Sequence, residues 1–156
     1  RKTCAQIGFG GKKFLLNFFL GVIVALIVIS HMFATFYLGE ASLPVINWNL
    51  LLIKILPDLA FGVLGMEIFF RGMLFLRLRQ NNNFSFLVAT SISTVFFLLP
   101  FLTNPIYSTS RGILAGAIYY IVFESFIFCY LTERTKSLVP SAIASAIILV
   151  FINILL

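Results

Sequence analysis

The sequence predicts an all-α integral membrane protein, with about five transmembrane helices and a short interfacial helix forming a single domain over 1–156. Three observations predict it. The chain is 61% hydrophobic and only 10% charged, whereas a soluble domain of ordinary composition carries about a quarter charged residues. Its mean hydropathy is +1.09. Several apolar runs approach the roughly 20 residues needed to cross a hydrocarbon core about 30 Å thick, and Phe, present 19 times, is prominent in them.

The elements follow in order. Residues 1–13 form a basic lead-in. Within it, Gly8 to Lys13 resembles a phosphate loop only superficially, because no Ser or Thr follows the lysines and no strand precedes them. Phe14 to Leu38 is the first span. It exceeds a signal-peptide core and lacks a small-residue cleavage site, so it is read as a retained helix. A polar connection with Pro44 leads to Trp48, which opens the interfacial stretch; Trp favours the headgroup level. Pro57 and Asp58 suit the first turn of the second span, since Pro loses only an orphan N–H and Asp complements the helix dipole. That span runs to about Leu78, and Gln80 to Asn83 form a turn. The third span is Phe84 to about Thr103, and the fourth is Gly112 to about Thr132. Glu133-Arg134-Thr135-Lys136 is expected as a tight charged turn, with the fifth span over Val139 to Leu156.

Charge orients this bundle. Arg1, Lys2, Lys12, Lys13, Arg77, Arg79, Arg134 and Lys136 fall on one side, and the opposite loops carry only Arg111. The positive-inside rule gives a cytoplasmic N-terminus and an outward C-terminus, most simply in a plasma membrane. The net charge of +6 is thereby read as a set of topology determinants, and no nucleic-acid partner is expected. Cys4 and Cys129 fall on the reducing side and imply no disulfide. No His/Cys/Asp/Glu set has metal-ligand spacing, so neither a metal nor another cofactor is expected.

Ionisable residues within spans are costly and therefore informative. Glu67 and Arg71 lie four apart on the second span, and Glu124 lies on the fourth at nearly equal depth. The structural reading is a buried polar clasp of Glu67, Arg71 and Glu124; the alternative is an active or transport site. Gly112/Gly116 and Ser141/Ser145 form small-residue pairs that let helices approach closely, either within the bundle or against another membrane protein. Thr90, Ser91, Ser93 and Thr94 add hydroxyls to the third span.

Met66-Glu67-Ile68-Phe69-Phe70-Arg71-Gly72 resembles the Glu-Glu-x-x-x-Arg motif of the CPBP family, which holds the CAAX proteases and the bacteriocin-processing and immunity (Abi-type) proteins. Ser137-Leu138-Val139-Pro140 is similar to the opening of that family's last helix. The resemblance covers roughly 48–154 and implies an intramembrane endopeptidase fold, in which the first Glu activates water and two His and an Asn complete the site. Each of those positions departs from the pattern. Met66 stands for the first Glu, Pro100 for the His of the third span, and Ser145 and Leu149 for the His and Asn of the last span. Met, Pro and Leu neither transfer protons nor donate strong hydrogen bonds. The resemblance therefore implies a degenerate member with no catalytic residues, acting as an accessory or regulatory subunit or an immunity-type factor in a membrane complex. The competing readings are a peptidase rebuilt around Glu67, with His31 or Glu124 as its second group, and a transporter component with Lys54, Asp58, Glu67, Arg71 and Glu124 along a polar path.

Overall fold

The computed structural model describes residues 13–38, 58–80, 83–102 and 111–155. The basic lead-in, the expected interfacial helix after Trp48 and the loop around Asn104 lie outside the described residues. Among the described residues the protein is all-helical. Helix α1 is Phe14–Leu38. Helix α2 joins Asp58–Gly65, Glu67–Phe75 and Leu76–Gln80. Helix α3 is Phe86–Leu102, α4 is Arg111–Thr135 and α5 is Val139–Leu155.

Only α1, over Phe14–Thr35, is long and apolar enough on its own to cross a membrane among the described residues, while Phe86–Pro100 and Val139–Ile152 are shorter apolar helices. At 1.5 Å per residue, the 17 residues of α3 and of α5 each rise about 25 Å. That is short of the ~30 Å average core of a bilayer.

The packing follows residue size. The inward face of α1 is Asn17, Gly21, Ala25, Val28 and Met32, spaced by four, four, three and four. It runs along α5, where Ala144 and Ile148 join Ala25, Val28 and Met32 in one core with Phe128 and Leu131 of α4. A Cβ on Gly21 would stand 2.6 Å from the carbonyl oxygen of Pro140 and 2.9 Å from the Cβ of Ile143. This is the close backbone approach that small residues permit in lipid. Phe33 meets Phe151 further along, so α1 and α5 run parallel. The opposite face of α1 shows Leu15, Leu16, Phe19, Ile23, Leu26 and Ile27 outward, an apolar surface suited to acyl chains and not to water.

Most of α2 is built of widened turns whose hydrogen bonds run from residue i to i+5, with Met66 between two such segments. Such turns cluster at functional positions in other helices. The sequence-expected turn after the fourth span is displaced. Glu133, Arg134 and Thr135 continue α4, because Glu133 is anchored by Arg79 of α2. The turn is made instead by Lys136 to Leu138. Lys136 takes a left-handed φ of 53°, the usual way to end a helix. Ser137 Oγ accepts the Val139 N–H at 3.1 Å and so caps α5. Arg79 also donates to the Phe84 carbonyl at 2.7 Å. The ends of α2 and α4 and the start of α3 therefore share one level, and Arg77, Arg134 and Lys136 lie at the same end.

Candidate functional site

Glu67 and Arg71 lie on α2, 2% and 3% exposed respectively, and form an ion pair through Oε1 and Nη1. With i-to-i+5 turns, a residue four ahead falls just short of one full turn, so the two side chains stand almost one above the other. Ser145 of α5 donates from Oγ to the same Glu67 Oε1 at 2.6 Å. The Arg71 guanidinium sits between two rings. Its central carbon is 5.1 Å from the centroid of Phe97 on α3 and 4.9 Å from that of Phe128 on α4. One pair of residues thus ties α2 to α3, α4 and α5. Ser93 adds a further link, donating to the Phe70 carbonyl at 2.9 Å.

Several polar atoms in this region lack partners. Glu67 Oε2, Arg71 Nε and the hydroxyls of Thr90, Thr94 and Thr132 are buried with no oxygen or nitrogen partner among the described residues. The Cys129 thiol lies beside Thr90 and Arg71 and packs with Phe75 and Ala89.

The structure distributes the sequence-expected residues unevenly. Glu67 and Arg71 are brought together. Glu124, half-buried on α4, is close enough for both charges to act on it, yet it makes no ion pair among the described residues. Met66 is half-buried next to Glu67 in the chain, Pro100 is exposed near the end of α3, and Leu149 is half-buried one turn beyond Ser145. Ser145 is the one of these four motif positions seen bonded to the carboxylate. His31 does not join Glu67. It stacks with Phe123 and Tyr119, and its Nδ1 lies 3.4 Å from the Tyr120 hydroxyl, which in turn bonds Thr35 at 2.5 Å. The rebuilt Glu67–His31 dyad is therefore absent, because α1 carries His31 into an aromatic pocket on α4 instead of towards α2. Among the described residues no three His, Cys, Asp or Glu side chains are grouped to hold a metal.

The small-residue pairs also separate. Ser141 is fully buried and turns its hydroxyl back to the Leu138 carbonyl. Gly116 faces open space, with nothing within 4 Å of a Cβ placed there, so α4 makes no close helix contact at that residue. The surroundings of Gly112 and of Asn153 lie outside the described residues. Among the described glycines, the close contacts are Gly21 against α5 and Gly72, whose Cβ would stand 2.8 Å from Leu138 Cδ1. Neither belongs to a Gly-x-x-x-Gly pair, so motif spacing did not reveal them.

Chemically, the site holds a carboxylate fixed by an Arg and a Ser, with one oxygen unengaged and no imidazole bonded to it. A peptidase needs a group that activates water and a donor that protonates the departing amine. Arg71, held as a permanent cation, is not such a donor. A family model described as Rce1-like, type II CAAX prenyl endopeptidase Rce1-like, matches residues 47–151. No curated protein and no solved structure matches the chain.

Proposed function

The chain belongs to the Rce1-like family of type II CAAX prenyl endopeptidases, a membrane-embedded family, and from that premise we propose that it is a pseudoprotease that works by binding. In this reading it is an accessory or regulatory subunit, or an immunity-type factor, held in a five-span bundle beside another membrane protein. The observation that carries the reading is the Ser145 hydroxyl on Glu67 Oε1. At the position where the resemblance assigns a histidine, a hydroxyl completes a structural clasp with Arg71 and replaces a proton-transfer pair. The orientation belongs to the same proposal. Arg77, Arg79, Arg134 and Lys136 at one end support a cytoplasmic N-terminus and an outward C-terminus, in a plasma membrane.

A second reading has one supporting feature. Glu67 Oε2 is unengaged and has the chemistry to hold a water, so a peptidase rebuilt around Glu67 is the alternative. One experiment separates the two. The purified protein is reconstituted in lipid with prenylated CAAX-type peptides and unmodified membrane peptides, and products are sought by mass spectrometry. The binding reading expects no cleavage. Cleavage that is lost in a folded Glu67→Gln variant overturns it and puts the rebuilt peptidase first.

A further inference from the structure

The buried polar atoms with no oxygen or nitrogen partner among the described residues are not scattered, and two of the residues, Thr90 and Arg71, have the Cys129 thiol as a neighbour. Take the level at which Arg79 meets Phe84 and Glu133 as the origin and 1.5 Å per residue as an upper measure for the rise; Thr132 then lies at about 2 Å, Thr90 at about 9 Å, Arg71 at about 12 Å, Thr94 at about 15 Å and Glu67 at about 18 Å. Every one is buried. They also share one lateral position. Thr132 is one turn from Phe128, the α4 ring beneath Arg71. Thr90 and Thr94 are one turn apart on α3, and Thr94 precedes by three residues Phe97, the other ring on Arg71. Cys129, beside Thr90 and Arg71, lies between the lower and upper members. Buried hydroxyls, a guanidinium N–H and a carboxylate oxygen each require a partner where lipid supplies none. Side chains of these types, in a roughly linear order, are the setting in which internal water is held.

We infer that the seam between α2, α3 and α4 is a built site for a file of water molecules, entering at the basic end beside Thr132 and reaching Glu67 Oε2 through Thr90, Arg71 and Thr94. The donors and acceptors alternate in kind. The hydroxyls donate or accept, Arg71 Nε only donates and Glu67 Oε2 only accepts, so one water can bridge each step of about 3 Å from Thr90 to Glu67, while the step of about 7 Å from Thr132 to Thr90 takes at least two. The inference does not depend on whether the chain cleaves peptides.

The test is hydroxyl-radical footprinting by X-ray radiolysis of the full chain in lipid nanodiscs. Radicals formed from a bound water oxidise the side chain next to it, even where bulk solvent does not reach. Cys129 is 1% exposed and touches the seam, while Met32 is 6% exposed and lies in the dry core between α1 and α5. After correction for intrinsic reactivity, Cys129 is expected to oxidise several-fold faster than Met32. Thr90→Val combined with Thr132→Val keeps the shape but removes two of the water partners, and should bring Cys129 down to the Met32 rate while Met32 is unchanged. Equal protection of Cys129 and Met32 in the unmodified protein overturns the inference. So does Cys129 oxidation that persists undiminished in the folded double variant. Should the double variant not fold, the comparison within the unmodified protein decides alone.

Discussion

Arg71→Ala is the most severe perturbation of the clasp. It removes the one ion-pair partner that a carboxylate 2% exposed has among the described residues. Breaking a buried pair on one side costs about 3–5 kcal/mol, because the remaining charge stays buried and unpaired. Arg71 also stacks between Phe97 and Phe128, and cation–π contacts add about 0.5–2 kcal/mol each. Against a typical folding free energy of about 5–15 kcal/mol, the bundle should lose at least about a quarter of its stability. At 1.4 kcal/mol per factor of ten, a loss of 3–5 kcal/mol multiplies the unfolded population by about 10²–10⁴. The assay is reversible unfolding in mixed micelles, or steric trapping in bicelles, on the unmodified chain, Arg71→Ala, Glu67→Gln and the double variant. The double variant should recover much of the Arg71→Ala loss, since neutralising Glu67 removes the stranded charge; that non-additivity is the signature of direct coupling. Unchanged unfolding in Arg71→Ala would refute the reasoning. Strict additivity of the two single variants would refute it equally.

Other expectations are simpler. Gly21→Ala places a Cβ 2.6 Å from the Pro140 carbonyl oxygen, so α1 and α5 must separate and the chain should lose about 1–3 kcal/mol in the same unfolding assay. Gly116→Ala, with nothing within 4 Å, should be neutral or stabilising by up to about 1 kcal/mol through helix propensity; a large loss would mean that α4 is packed there. For the topology, single cysteines at Asn82 and Thr109 should be labelled from opposite sides of the membrane by an impermeant thiol reagent. Labelling of both from the same side would exclude the five-span arrangement.

The helices were legible because long apolar runs and charged turns leave strong local signals. The ends of α1 and α5 fall where hydrophobic patterning puts them. Glu67 and Arg71 were legible for the same reason, since four-residue spacing on one helix is a local relation. What could not be read was long-range. Ser145 is 78 residues from Glu67, and no spacing rule predicts which hydroxyl a carboxylate will meet. The extension of α4 through Glu133 depends on Arg79 arriving from another helix. The Gly-x-x-x-Gly spacing marked Gly116 for a contact within the bundle or with another membrane protein, and within the chain the close approach occurs at Gly21 instead, because the rotation of each helix about its axis decides which small residues face a neighbour. The widened turns of α2 carry no compositional mark at all.

The parallel docking of α1 on α5 bears on how the chain is assembled. Gly21 and Ile143 are 122 positions apart (143 − 21). At a synthesis rate of about 5–20 residues per second, α1 waits roughly 6–24 s before its partner is made. Until then the face of Gly21, Ala25 and Val28 lacks its α5 wall, and Phe128 and Leu131 of α4 are its only established neighbours in that core. The α1–α5 contact is thus a late event with a large loop to close. A ribosome stalled before α5 would leave an open bundle whose α1 seam is available to any other small-residue helix in the membrane. A quality-control factor that recognises such a seam would therefore distinguish an unfinished copy of this chain from a finished one.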